Sequence, residues 1–250
     1  MTPLQFDPAR EERELREYLG EAFDERAFRN HEAAVEGEFH DVADESRFYR
    51  VARGYLYDLT VFAMSETKRP YLERLTELVE PRGRLLDYGC GIGADGLLLL
   101  EAGYRVEFAD FANPSTEYLR WRLRRRGLEA PVHDLDEHVP GGFDAAYSFD
   151  VIEHVPDPAA FLAELERRSA LVMVNLLEPS PGEIDLHRDL PVRRLVGHAA
   201  SRRLRAYEIH HGRSHLIAYE PERAAPIARA AALLRVAVRR LAHRLRGGTA

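Results

Sequence analysis

The stretch Leu85-Leu86-Asp87-Tyr88-Gly89-Cys90-Gly91-Ile92-Gly93 constrains this chain more than any other, because an apolar run passes straight into three glycines and then into a helical pattern. Glycine at such a turn tolerates positive φ and lets the main chain approach a ligand closely. A strand, a glycine turn and a helix open a parallel α/β sheet, and the next hundred residues keep that rhythm. Short apolar runs at 84–88, 105–109, 130–133, 143–149 and 170–176 read as strands. Helical patterns fall at 93–102, 114–127, 158–168 and 191–201, the alternation of a sheet covered by helices on both faces. Then the rhythm breaks. Residues 204–210 and 215–220 are two strand-like runs around His211-Gly212-Arg213-Ser214, a hairpin signal, and 222–246 reads as an Arg-studded amphipathic helix. Residues 1–80 read as helical, with an apolar stripe through 11–19 and an aromatic stretch from Phe48 to Phe62, closed by Pro70 and Pro81. The organisation expected is an N-terminal helical cap over 1–80, an α/β domain over 81–221 and a C-terminal basic helix over 222–250.

Charge and cysteine content narrow the function classes. The single Cys90 makes no intramolecular disulfide and no thiolate zinc site, and inside the glycine loop it reads as a small filler. Residues 223–250 hold seven Arg and no acid, so the preceding body carries 28 basic against 42 acidic residues. A body this acidic repels a phosphate backbone, which argues against a nucleic-acid partner. Lys68 is the lone lysine, so no lysine chemistry is expected unless that residue carries it. The longest apolar runs, such as Leu97–Leu100, fall far short of the ~20 residues that span a bilayer, and Met1–Arg16 lacks the apolar core of a signal peptide. A cytoplasmic protein without stable membrane insertion is the expectation, as monomer or homodimer. The basic helix offers a choice between packing, which is favoured, and a weak peripheral contact with an anionic membrane through 222–246.

The loop alone leaves the ligand open. Asp110 lies 21 residues past Gly89 at the end of the next strand, where a carboxylate can accept ribose hydroxyls, and Gly91-Ile92-Gly93-Ala94-Asp95-Gly96 satisfies the dinucleotide pattern Gly-x-Gly-x-x-Gly. Asp87 separates the readings, since a carboxylate two positions before Gly89 repels a pyrophosphate and attracts a cationic ligand. Here the sequence resembles the class I S-adenosylmethionine (SAM) dependent methyltransferases, in their small-molecule branch of type 11/12-like domains. The resemblance runs over about 82–220 and continues through Phe143-Asp144-Ala145-Ala146-Tyr147-Ser148-Phe149-Asp150-Val151-Ile152-Glu153-His154-Val155-Pro156-Asp157-Pro158, which is similar to that family's fourth strand and following turn. It implies a Rossmann-like seven-stranded, mostly parallel sheet with an antiparallel last strand, which accounts for the hairpin. It implies SAM as cofactor, with Asp87, Gly89 and Gly91 about the methionine part, Asp110 on the ribose, Phe111 on the adenine, Asp134 on the adenine amine with Asp136 as the fallback, and Asp150 closing the cofactor set.

In open α/β sheets ligands bind beyond the carboxyl ends of the strands. That edge gathers the turn with His154, the segment with Asn175, Glu178 and His187, and the hairpin with His210, His211, Arg213 and His215. His154, His211 and His187 are the candidate bases, with His187 placed on a lid-like loop; His210 and His211 would point to opposite sides if both lay in the strand. A metal held by His187, His211 and His215 with Glu178 or Asp185 is a minority reading without supporting spacing, and no metal is expected. The expected activity is methyl transfer to a small-molecule acceptor, oxygen preferred over nitrogen. The alternatives are a nicotinamide-dependent oxidoreductase, opposed by Asp87 and the hairpin, and a non-catalytic SAM-binding module.

Overall fold

In the computed structural model, which describes residues 3–42, 45–178 and 188–247, the chain holds one seven-stranded sheet in the order β3-β2-β1-β4-β5-β7-β6. Its strands are β1 (Arg84–Tyr88), β2 (Arg105–Asp110), β3 (Val132–Asp134), β4 (Phe143–Ser148), β5 (Ser169–Leu177), β6 (Arg202–His210) and β7 (Ser214–Arg223). β1, β2 and β3 run parallel, as do β4 and β5, whereas β7 is antiparallel to both β5 and β6. This is the mixed sheet expected from the sequence. The chain divides into two compact units, residues 1–140 and 141–250.

The first unit begins with six helices: α1 (Pro8–Leu19), α2 (Glu25–Arg29), α3 (His31–Val42), α4 (Glu45–Val51), α5 (Tyr55–Met64) and α6 (Arg69–Leu78). Local chemistry explains their starts. Asp7 caps α1 ahead of Pro8 and Asp24 caps α2, each carboxylate accepting main-chain N–H groups that the first turn leaves without intrahelical partners. After β1 comes α7 (Ala94–Glu101), and after β2 comes α8 (Pro114–Arg126). The second of these is bounded by an Asn113/Thr116 capping box, Pro114 in the first turn and left-handed Gly127 at the end. Leu85, Leu86 and Phe108 are fully buried in the strands.

The second unit contains α9 (Pro158–Arg168), α10 (Val192–Ala200) and α11 (Pro226–Gly247) around β4, β5, β7 and β6. The reading of the C-terminal segment needs one correction. β7 runs on to Arg223, paired with Arg202, and the helix starts at Pro226 rather than 222, because proline suits a first helical turn and the antiparallel ladder claims the residues before it. β3 likewise starts two residues late, since Pro131 has no N–H to give a ladder. The hairpin turns through His211 and Gly212, both at positive φ (50° and 79°), the backbone that matches strand twist in tight hairpins.

Candidate functional site

β1 delivers the glycine loop to the carboxyl edge, and nearly every loop N–H is consumed inside the protein. Gly89 and Cys90 donate to the Ala109 carbonyl (2.8 and 3.2 Å), Gly93 donates to the Cys90 carbonyl (2.8 Å), and Gly91 donates to Oδ2 of Asp110 (2.7 Å). A pyrophosphate loop works the other way, aiming its N–H groups at the ligand. The carboxylate of Asp110 also accepts from the Phe111 N–H at 2.7 Å, so this one side chain ties the end of β2 to the loop. Burial, with Asp134 adding negative charge, pushes its pKa up to about 6 against the hydrogen bonds from Gly91 and Phe111. Asp87 is 4% exposed at the end of β1. The glycines have distinct duties. Gly89 and Gly91 take positive φ (75° and 52°). A Cβ on Gly96 would lie 2.2 Å from the Phe108 ring and 2.9 Å from Oδ2 of Asp87, so this glycine lets α7 pack flat on the strands.

Two arginines that the sequence reading passed over frame the loop. Arg122 on α8 is fully buried; its guanidinium donates to the Ile92 carbonyl in the loop (3.0 Å) and to Glu14 on α1 (2.8 Å), and it also pairs with Glu11. The glycine turn is thereby fastened to the first helix of the chain. Arg50 on α4 lies 4.2 Å from the centroid of the Phe111 ring and pairs with Asp136. One ring face of the half-buried Phe111 is therefore covered, and Asp136 is engaged. Asp134 sits beside Asp110 in the β2–β3 register, its Oδ1 accepting from the Asp136 N–H at 3.0 Å. Burial, with Asp110 and Asp87 nearby, drives the Cys90 thiol well above its usual pKa; it stays protonated, as a filler would.

In the second unit the carboxyl edge is polar and tightly bonded. Asp150 takes a left-handed φ of 57° just after β4, and the buried amide of Asn175 grips it from two sides: Oδ1 accepts the Asp150 N–H (2.8 Å) while Nδ2 donates to the Asp150 carboxylate (2.6 Å). Nδ2 also reaches Oγ of Ser214 at 3.2 Å. These bonds hold a backbone conformation that an aspartate adopts at some cost. His215 is 2% exposed, with Nδ1 2.8 Å from the Tyr207 hydroxyl and Nε2 2.9 Å from Glu178, which in turn accepts from Arg240 at 3.0 Å. Burial lowers the His215 pKa and pushes that of Tyr207 up to about 12. A neutral ring that donates to Glu178 and accepts from Tyr207 satisfies both nitrogens, which leaves neither for a metal.

The structure thus brings Asp87, Gly89, Gly91, Asp110, Phe111 and Asp134 together around one loop, and places Asp150 at the edge of the other unit. His154 is half-buried in the 3-10 turn Ile152–His154 after β4. His211 is exposed at the hairpin tip, past the last strand residue His210, as the turn His211-Gly212-Arg213-Ser214 led one to expect. His187 and Asp185 lie outside the described residues. No group of three or more His, Cys, Asp or Glu suited to a metal occurs among the described residues, and no helix among them is long and apolar enough to cross a membrane.

Both halves of this geometry suit SAM. Asp87 and Asp110 put two carboxylates beside the loop, a charge that suits a cationic ligand, and the glycine cradle leaves no row of N–H groups for a pyrophosphate. A family model described as a methyltransferase domain matches residues 63–210. The chain is 30% identical over 124 residues to the ubiquinone biosynthesis O-methyltransferase of Xanthomonas axonopodis pv. citri, covering 46% of this chain and 52% of that one. It is 31% identical over 106 residues to the protein of the same name in Bordetella pertussis, covering 39% and 44%; the chain spans about half the length of these curated relatives. In fold it is similar to the pyocyanin biosynthetic protein PhzM, with a TM-score of 0.54, 17% identity and coverage of 72% and 62%. By its sequence motifs, its sheet order and this family match, the chain belongs to the class I S-adenosylmethionine-dependent methyltransferases.

Proposed function

We propose that the chain transfers the methyl group of SAM to an oxygen of a small-molecule acceptor. The observation that carries the cofactor half is the Asp110 carboxylate, fixed between the Gly91 and Phe111 N–H groups at the mouth of a loop whose Gly89, Cys90 and Gly93 amides are already bonded. Bound SAM supplies an electrophilic methyl carbon on a cationic sulfur. Asp87 and the turn at Gly89 and Gly91 hold the methionine end, Asp110 accepts the ribose hydroxyls, and Phe111 and Asp134 receive the adenine, with Asp150 completing the set. Asp136, engaged by Arg50, ranks behind Asp134 for the adenine amine. The oxygen acceptor is supported by the O-methyltransferase names of the curated relatives.

A hydroxyl acceptor loses its proton as the new C–O bond forms, and a neutral imidazole at the carboxyl edge accepts it at a ring nitrogen. His154 and His211 are the bases proposed, with His187 a third; His215 is excluded because Tyr207 and Glu178 already occupy both its nitrogens. The test incubates the protein with methyl-labelled SAM and a metabolite extract, then treats the labelled product with hydriodic acid, which releases methyl iodide from an ether under conditions that leave an N-methyl group in place. Label released in this way supports an oxygen acceptor. Retained label transfers the proposal to nitrogen, and no labelled product removes the catalytic reading. His154→Ala and His211→Ala should keep SAM affinity within about threefold, while at least one loses the ~10²–10⁴ of a removed general base.

A further inference from the structure

Seven large apolar side chains stand exposed among the described residues, and six of them, Ile227, Leu233, Leu234, Val238, Leu241 and Leu245, are on α11. Scattered exposure needs no explanation, but concentration on one helix does. Five of them, Ile227, Leu234, Val238, Leu241 and Leu245, are spaced seven, four, three and four residues apart and are 57–85% exposed. That spacing draws one stripe along the helix, about 27 Å long at ~1.5 Å per residue. The opposite face is already occupied. Ala232 and Val236 are buried, α11 packs on β6 and α10, Arg240 bonds Glu178, and His243 meets the Gly212 carbonyl. The helix is anchored by one side and offers the other. Exposed Arg235 and Arg244 flank the stripe, turned roughly 80° and 100° from it on opposite sides at ~100° per residue.

We propose that this face docks α11 in the plane of an anionic membrane surface, with the stripe at the boundary of headgroups and acyl chains and the flanking arginines on lipid phosphates. Charge decides the occupant. A second copy presenting the same face would set arginine against arginine, because no acidic residue follows Glu222 on either helix. An anionic bilayer supplies the missing counter-charge along the whole stripe. The residues before 223 carry 28 basic against 42 acidic side chains, so attraction is confined to this end and the chain meets the surface helix first. This docking is independent of the identity of the methyl acceptor.

The test is sedimentation of the full chain with vesicles of phosphatidylcholine alone and of phosphatidylcholine mixed with phosphatidylglycerol. Binding to the mixed vesicles should be at least ~10-fold tighter and should weaken in ~1 M salt, where the screening length falls to about 3 Å. Each surface arginine contributes a factor of about five, so Arg235→Gln/Arg244→Gln should lose roughly 25-fold, and Leu234→Ser/Leu241→Ser should abolish binding. Both variants alter only exposed positions, so their unfolding temperatures and S-adenosylhomocysteine affinities should match wild type. Equal adsorption to both vesicle types, no adsorption at all, or a dimer in light scattering that the serine variant dissolves would each overturn the proposal.

Discussion

Asp110 sets the pH behaviour of the site. Burial raises its carboxyl pKa to about 6, so near pH 5 much of the protein carries a neutral group that cannot accept both hydroxyls in the proposed ribose contact. A raised carboxyl favours the folded chain while protonated; that contribution is complete below the ordinary value of 3.8 and is lost as pH rises toward 6. Ligand binding is linked oppositely, since bound hydroxyls favour the charged form. Titration calorimetry with S-adenosylhomocysteine should therefore find affinity rising up to ~10-fold per pH unit below 6 and level above it. Asp110→Asn should flatten the profile and bind about 10- to 100-fold more weakly, as expected for a lost charge-assisted hydrogen bond. A sloping profile in the variant would assign the titration to another group.

At the scale of elements, α1 is held to α8 by buried ion pairs as well as by rings, Tyr18 lying 4.8 Å from Tyr118 and 5.6 Å from Trp121. Glu14 (5% exposed) accepts from both Arg122 and Arg126, and Glu11 (8% exposed) joins them. Burial opposes the charge on Glu14, yet the hydrogen bond from Arg126 and the charge of Arg122 hold its pKa below the ordinary value. A depressed carboxyl contributes stability above that ordinary value of 4.5 and loses it as pH falls below. Glu14→Ala leaves the buried guanidinium groups of Arg122 and Arg126 sharing Glu11 as their remaining carboxylate on α1 and should cost about 3 kcal/mol at pH 7. In chemical unfolding the deficit should shrink in acid; an unchanged deficit would mean the loss is packing alone. None of this was legible in the sequence. Arginine in an amphipathic helix reads as solvated, and the partners of Arg122 stand 108 and 111 residues away. Arg50 was passed over for the same reason, with Asp136 86 residues off. What was legible is local: β1 matches residue for residue because an apolar run ends at a glycine, and Asp87 and Asp110 fall at strand ends as expected because those ends are periodic landmarks. The left-handed Asp150 has no signature of its own, since Asn175 holds it from 25 residues further on.

For the whole molecule, the first unit carries the loop, Asp87, Asp110 and Phe111, and the sheet order with its closing antiparallel β7 is that of the methyltransferases rather than of nicotinamide enzymes. A single measurement separates S-adenosylmethionine from the rival ligand. Thermal unfolding of the full chain should be followed with S-adenosylhomocysteine and with NAD, each at saturating concentration. A ligand at ~100 times its Kd adds about 2.7 kcal/mol to the folded state, which for a chain of this size is a rise in Tm of roughly 5–10 °C. The account predicts that rise with S-adenosylhomocysteine, none with NAD, and its fall by about half or more in Asp110→Ala. A shift with NAD and none with S-adenosylhomocysteine would contradict it.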